Sequence, residues 1–282
     1  MLWIIAAAFS FSLMKPPAAW GHADLLALIE SAGKQIETDP KSAALYLRRG
    51  QLYRFHLDWE LAERDYDRAS QLDPNLTAVP LNRGKMLFES GQNDRAKVQL
   101  DKFLASEPND ADALLTRARV LMKLGQRKPA IIDFGRAIEH APEPMPDYFL
   151  DRAKAQAEDG DNEAALRGID QGLKRLGASS ITLQAYAVDL EVAGKHFNEA
   201  LKRLETISSQ FERKEKWLAQ RGEILVLAGR DEEAKKSFNE ALTSIESLPA
   251  RLQQTPAMQN LKKRVSNALA SIASRQNADH KK

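Results

Sequence analysis

Three short segments of the sequence decide the fold: QLDPN at 71–75, ASEPN at 105–109 and EHAPE at 139–143. Their prolines, Pro74, Pro108 and Pro142, stand 34 residues apart. Proline cannot continue a preceding helix, so each one marks the end of one unit and the entry into the next. A fixed interval of this length predicts a repeat protein, in which every unit packs on its neighbours and no single central core is needed.

Small and large residues recur in phase with these prolines. Two helices approach closely only where side chains are small, and a large side chain then fills the space beside the small residue. Each unit is therefore predicted to be a pair of antiparallel helices joined by a short turn. The recurring positions are Gly50, Gly84 and Ala118, the turn at Leu57, Gly91 and Gly125, then Ala62, Ala96 and Ala130, and finally Tyr66, Leu100 and Phe134.

The same pattern continues along the chain with small slips. The fourth repeat is displaced by one residue after the proline-rich stretch 142–146, and the fifth repeat has one extra residue after its turn glycine, Gly194. Gly168 and Gly172 fall in the second helix of the fourth repeat, where each costs about 0.5–1 kcal/mol relative to alanine, so we expect residues 163–177 to be the least stable part. The predicted organisation is half a repeat at 24–42, six units within 43–255 (43–76, 77–110, 111–145, 146–179, 180–214 and 215–248), and a capping helix with a frayed tail at 256–282.

This pattern resembles the tetratricopeptide repeat over about residues 43–247. Tyr46–Tyr53 (YLRRGQLY) is similar to its first helix, and Gly229–Ala234 (GRDEEA) is similar to its turn and second helix. One such segment is a weak signal, whereas six in register are specific. The resemblance implies an all-α fold, a right-handed superhelical solenoid of antiparallel helix pairs. In that fold the first helix of each pair, named helix A, lines the concave side, and the second is helix B.

The resemblance also assigns residues of helix A to a concave groove that would bind a peptide or protein segment. Apolar side chains there would supply affinity, and arginine and lysine side chains would bind carboxylates. Chaperone-docking members of the family grip a terminal carboxylate with five polar residues, of which only Asn82 agrees here, so that clamp is absent. The groove candidates are Arg48, Gln51, Arg54, Phe55, Asn82, Lys85, Phe88, Arg119, Met122 and Lys123.

Residues 1–23 differ from the repeats and are predicted to be a signal peptide. Residues 2–14 (LWIIAAAFSFSLM) are almost wholly apolar, the length of a signal-peptide core and too short to cross a bilayer. The small residues Gly21 and Ala23 stand where a signal peptidase would cut, after Ala23. A buried N-terminal helix is the alternative. We therefore expect an exported protein, periplasmic or secreted, with no stable membrane insertion after cleavage.

The sequence contains no constellation that predicts catalytic residues, a cofactor or a metal site. There is no cysteine, the five histidines are scattered, and neither HExxH nor a phosphate-binding glycine loop occurs. The acidic runs Glu158-Asp159 and Asp231–Glu233 are expected to begin helices, where the positive helix N-terminus stabilises a carboxylate. The charge is nearly balanced, with 41 basic against 39 acidic residues, so no overall field attracts nucleic acid.

A non-enzymatic scaffold or adaptor is therefore the leading hypothesis, with another protein or peptide as its partner. A non-catalytic regulatory or assembly subunit of an enzyme or envelope complex would have the same sequence features and stays open. RNA binding by a related helical-repeat array is the third alternative. The 34-residue spacing and the net charge of +2 argue against it.

Overall fold

The structure is a computed structural model that describes residues 22–177 and 180–279. Over these ranges the chain forms fifteen α-helices and no strand. Numbered in chain order, the helices are α1 (His22–Thr38), α2 (Ala43–Phe55), α3 (Trp59–Leu72), α4 (Ala78–Glu89), α5 (Asn93–Ser106), α6 (Ala111–Lys123), α7 (Arg127–His140), α8 (Pro146–Glu158), α9 (Asn162–Leu176), α10 (Ile181–Ala193), α11 (Phe197–Ser208), α12 (Glu215–Leu227), α13 (Asp231–Glu246), α14 (Ala250–Gln253) and α15 (Pro256–Asp279).

The helices fall into two compact units. Unit one ends at Pro108 and contains α1 to α5, and unit two begins at Asn109 and contains α6 to α15. Within unit one, α1 packs on α2, α2 packs on α3 and α4 packs on α5. Within unit two the pairs are α6–α7, α8–α9, α10–α11 and α12–α13, with α15 packed against α12 and α13. The predicted all-α solenoid of helix pairs is confirmed; the even-numbered helices from α2 to α12 are helices A.

Close contact within a pair rests on a glycine that faces a large side chain. A β-carbon on Gly50 of α2 would lie 2.7 Å from Cε1 of Tyr66 in α3. One on Gly222 of α12 would lie 2.5 Å from Cε1 of Phe238 in α13. Neither site has room for a methyl group, and both rings are fully buried. The small and large residues predicted to meet at these two crossings therefore do meet.

In the pair α8–α9 the glycine and the large residue have exchanged helices. Phe149 lies on helix A and Gly172 on helix B, where an added β-carbon would lie 2.7 Å from Cγ of Phe149. Packing therefore requires glycine at 172, which the sequence pattern did not reveal. Gly168 faces no ring, and the atom nearest to its β-carbon position is Nη2 of Arg152, at 3.1 Å.

The turns within the pairs use the left-handed backbone conformation that favours glycine. Leu57 adopts it without being glycine, with φ 67°. In the α10–α11 turn the left-handed residue is Lys195 (φ 60°) and not the predicted Gly194, whose φ is −79°, because the extra residue of this unit shifts the turn by one position. The turn glycines, with φ between 73° and 94°, are Gly91, Gly125, Gly160 and Gly229.

Helices lie at both ends of the described chain. Residues 1–21 of the predicted signal peptide are outside the described part, and residues 22 and 23 begin α1. At the other end α15 covers the last pair, with Leu261, Val265 and Ile272 buried against α13. The short helix α14 was not predicted from the sequence. No described helix has the length and hydropathy that a membrane crossing needs.

Candidate partner-binding surface

The predicted groove residues of α2 lie along one side of that helix, at the i, i+3 and i+7 positions. Arg48 is exposed, and its Nη1 lies 3.5 Å from Oε1 of Gln35 in α1. Gln51 is half-buried. Phe55 is also half-buried and packs against the apolar cluster that α1 and α2 share. This side of α2 therefore presents an aromatic ring beside two polar side chains.

Arg54, predicted to bind a partner's carboxylate, is bound inside unit one instead. The residue is 8% exposed, and its Nη1 lies 3.4 Å from Oε1 of Glu89 in α4. The guanidinium also lies 4.6 Å from the centre of the Phe55 ring. Burial raises the pKa of Glu89, and the nearby Arg54 opposes that shift. The pair joins two consecutive helices A, which contact each other directly.

The three predicted groove residues of α4 differ in exposure. Asn82 is only 2% exposed, and its Nδ2 donates a hydrogen bond of 2.8 Å to the Ala78 carbonyl oxygen of the same helix. Its amide is therefore directed at its own backbone and not at the surface. Lys85 and Phe88 are half-buried and stay partly accessible from solvent.

Arg119 of α6 is likewise bound within unit two. Its Nη2 lies 2.7 Å from Oδ2 of Asp147, and its Nε donates at 2.7 Å to Oδ2 of Asp151, both in α8. Burial lowers the pKa of Arg119, but the two aspartates outweigh this effect and hold the pKa above its ordinary value. Two consecutive helices A are again joined by an arginine. Met122, half-buried, and Lys123, exposed, complete the predicted residues of α6.

Seven of the ten predicted residues remain accessible, Arg54 and Asn82 are buried, and Arg119 is half-buried with its guanidinium bound by two aspartates of the same unit. We name the accessible ones the helix-A surface and treat its two parts separately, one in each compact unit. Arg54 and Arg119 are occupied by internal carboxylates, and Asn82 is buried. In unit one the helix-A surface consists of Arg48, Gln51, Phe55, Lys85 and Phe88, and in unit two of Met122 and Lys123.

The carboxylates that bind these arginines could not be recognised from the sequence. Glu89 follows Arg54 by 35 residues, whereas Asp147 and Asp151 follow Arg119 by 28 and 32. No fixed interval marks the pairs, so the repeat alignment could not reveal them. Only the packing of consecutive helices A brings these side chains together.

The described residues contain no group of three or more histidine or acidic side chains placed to hold a metal ion. Asp231–Glu233 begin α13 as expected. The expectation for Glu158-Asp159 is wrong, because Glu158 is the last residue of α8 and Asp159 follows it. The carboxylate at the start of α9 is Asp161, whose Oδ1 accepts a hydrogen bond of 2.8 Å from the Ala164 backbone N–H.

Solved structures of other proteins share this arrangement of helices. A tetratricopeptide repeat protein from Parabacteroides merdae is 19% identical, with 86% of this chain and 93% of that chain covered and a TM-score of 0.55. The C-terminal part of a TPR repeat-containing protein from Cytophaga hutchinsonii is 16% identical, with 81% and 93% covered and a TM-score of 0.66. The APC/C hetero-tetramer Cut9–Hcn1 matches at 14% identity over 86% of this chain and 48% of that chain, with a TM-score of 0.50. No protein-family model and no curated protein matches the sequence.

Proposed function

Because this chain has the fold of tetratricopeptide-repeat proteins, we propose that it is a non-enzymatic scaffold that binds another protein through its helix-A surface. The observation that carries the proposal is the composition of that surface. In unit one, α2 carries half-buried Phe55 and Gln51 and α4 carries half-buried Phe88; in unit two, α6 carries half-buried Met122 and exposed Lys123. Partly exposed aromatic and methionine side chains with polar neighbours are enriched where proteins bind one another.

The internal ion pairs give Arg54 and Arg119 a positioning role in this proposal. Each joins consecutive helices A through carboxylates that are part of the same chain. Side chains that are fixed before binding lose less entropy when the partner arrives, so such pairs favour association. The partner is therefore bound by the apolar side chains and by the accessible polar ones, and the two arginines hold the surface in shape.

A matched protein supports partner binding as the use of this fold. One chain that shares the helical arrangement belongs to the APC/C hetero-tetramer Cut9–Hcn1. The present chain covers about half of that protein, and the likeness concerns the fold. The identity of the partner distinguishes a scaffold from the alternative, an assembly or regulatory subunit.

Photo-crosslinking of the full-length protein in its native source tests the proposal. A photoreactive amino acid is placed at Gln51 or at Lys123, both on the helix-A surface. Lys102 of α5 and Lys128 of α7 are exposed residues of helices B and serve as matched controls. We expect one or more defined proteins to crosslink from a helix-A position and from neither control. Equal capture from all four positions, or none from Gln51 and Lys123, would reject the helix-A surface as the binding site.

The same material tests export, which we propose on the strength of the apolar segment at 2–14 followed by small residues at Gly21 and Ala23. Cleavage after Ala23 leaves a mature protein that starts at Asp24, in the periplasm or outside the cell. Mass spectrometry of the N-terminal peptide of the native protein measures this directly. A native N-terminus that still begins at Met1 would exclude cleavage.

A further inference from the structure

Unit two contains a groove between α11 and α13. Its volume is about 640 Å³, and the start of α12 forms its floor. Leu204 of α11 and Trp217 and Leu218 of α12 give the lining its apolar part. The Trp217 ring is held against Phe211, with ring centres 5.4 Å apart. The groove is therefore a formed feature with a fixed aromatic side chain at its base.

Positive charge is concentrated in this groove. Its lining carries five basic and two acidic side chains, a net charge of +3, whereas all 282 residues together carry +2. A local excess of one sign attracts ligands of the opposite sign and orients them on approach. The basic residues are Lys202, Lys214, Arg221, Arg230 and Lys236, and the acidic residues are Glu205 and Glu240.

Three of these five cations are exposed and available to a ligand, whereas Arg221 is half-buried. Arg230 is bonded to Glu233 through Nε and Nη2, at 2.7 and 2.6 Å, so its charge is already neutralised. Lys202, Lys214 and Lys236 are exposed and form no ion pair within the described part of the chain. Their ammonium groups can bind carboxylates of another molecule without breaking an internal contact.

We propose that this groove binds an extended acidic segment of a partner protein. Carboxylates of the segment pair with Lys202, Lys214 and Lys236, and an apolar side chain between them packs on Trp217. The wall formed by α11 has 12 residues. It is therefore about 18 Å long, which matches about five residues of extended chain. The groove goes beyond the proposed function, because it shares no residue with the helix-A surface.

An acidic peptide fits the lining better than a nucleic acid does. Glu205 and Glu240 stand among the lysines and would repel a backbone that carries a phosphate at every nucleotide. A peptide can place neutral residues at those two positions. Trp217 is the one aromatic residue of the lining, whereas surfaces for single strands stack successive bases on several rings.

Fluorescence anisotropy with the full-length protein and a labelled peptide of sequence EELEEL tests the proposal. We expect saturable binding that weakens as the salt concentration rises, and no binding of the peptide KKLKKL. Reversing Lys202, Lys214 and Lys236 to glutamate replaces attraction by repulsion and should weaken binding at least about tenfold. A matched control keeps the same net charge by reversing three exposed lysines outside the groove: Lys128, Lys174 and Lys263.

The proposal would be overturned if EELEEL did not bind at about 1 mM, which is already a weak affinity. It would also be overturned if the two triple variants lost equal affinity for the peptide, or if reversing the groove lysines left the affinity unchanged. Tighter binding of labelled single-stranded oligothymidine than of the peptide would overturn it as well. If the groove variant does not fold, a photoreactive EELEEL peptide on the unmodified protein decides the matter. Its crosslinks should map to α11, α12 or α13, and crosslinks confined to α2, α4 or α6 would contradict the proposed site while leaving the helix-A surface intact.

Discussion

Replacing Gly168 with aspartate should stabilise α9, because it supplies a carboxylate that the structure lacks at this point. Two equivalent arginines each lie sixteen residues before an aspartate and bind it with two hydrogen bonds. Arg152 lies sixteen residues before Gly168 and has no such partner. The complete pairs are Arg49 with Asp65, at 2.7 and 2.8 Å, and Arg117 with Asp133, at 2.6 and 2.9 Å.

The environment of Arg152 shows what the missing carboxylate costs. Its Nη2 donates to Oε1 of Gln171 at 2.9 Å, but its Nε is buried with no acceptor among the described residues. Burial lowers the pKa of Arg152, the direction expected for a cation without a counterion. A β-carbon at position 168 would lie 3.1 Å from Nη2 and 3.6 Å from Nε, so an aspartate there reaches the guanidinium after a small shift of the arginine side chain.

The expected gain is the sum of two terms. Aspartate is a better helix former than glycine by about 0.3 kcal/mol. Charge-assisted hydrogen bonds to a partly buried arginine contribute about 1 kcal/mol after the carboxylate has been desolvated. Gly168→Asp should therefore stabilise α9 by about 1–1.5 kcal/mol. Gly168→Asn has nearly the same shape and no charge, so it should gain only the helix term, about 0.3 kcal/mol.

Hydrogen exchange read at the amides of α9 is the appropriate assay, because repeat arrays open locally and a global midpoint averages over units. Since 1.4 kcal/mol corresponds to a factor of ten, Gly168→Asp should slow exchange in α9 about five- to tenfold, and Gly168→Asn less than about twofold. In an Arg152→Met background the two substitutions should become equal. Equal effects of aspartate and asparagine in the unmodified protein would refute the missing-carboxylate argument.

Three further substitutions test the packing and electrostatics. Leu57→Gly should stabilise its turn by about 0.5 kcal/mol, because removing the side chain relieves the strain of the left-handed backbone conformation at this position. This gain outweighs the conformational entropy that glycine loses on folding. Faster hydrogen exchange in α2 and α3 would contradict this. Gly222→Ala should destabilise the pair α12–α13 by about 1 kcal/mol, because the new methyl group would overlap the Phe238 ring. Adding Phe238→Leu should recover part of this loss. An unchanged midpoint of urea unfolding would argue against the close crossing. Asp189 is largely exposed, and its partial burial raises its pKa, so its ionised form opposes folding only weakly and stability falls slightly as the pH rises from about 4 through the raised value. Asp189→Asn should therefore increase the melting temperature at pH 7 but not at pH 3, and an equal increase at both would count against burial as the cause.

The helix pairs could be predicted from the sequence because their contacts are local and repeat at a fixed interval. Gly50 with Tyr66 and Gly222 with Phe238 obey the same spacing in distant units, so one steric rule explains both. Phe149 with Gly172 satisfies the same rule with the two helices exchanged, and a search for small residues on helix A cannot recognise it. The expectation that residues 163–177 are least stable stays a prediction, and the hydrogen-exchange experiment on α9 measures it.

The proposed helix-A surface was predictable only in outline. Helical spacing placed Gln51 and Phe55 on one side of α2, where the structure also has them. The occupation of Arg54 and Arg119 depends on which carboxylates of the next helix A come within reach, and that distance is set by packing between pairs. The cationic groove of unit two could not be predicted for the same reason, since Lys202, Lys214 and Lys236 come from three separate segments.

Hydroxyl-radical footprinting of the full-length protein, alone and with a partner identified by crosslinking, tests the central claim most directly. Side-chain oxidation reports solvent access, and Phe55, Phe88 and Met122 are reactive residue types on the helix-A surface. The account predicts that oxidation of at least one of them falls when the partner binds, while Val98 and Ile132, more than 60% exposed on helices B, stay equally reactive. Unchanged oxidation at all three helix-A side chains, with protection only at Val98 or Ile132, would contradict it.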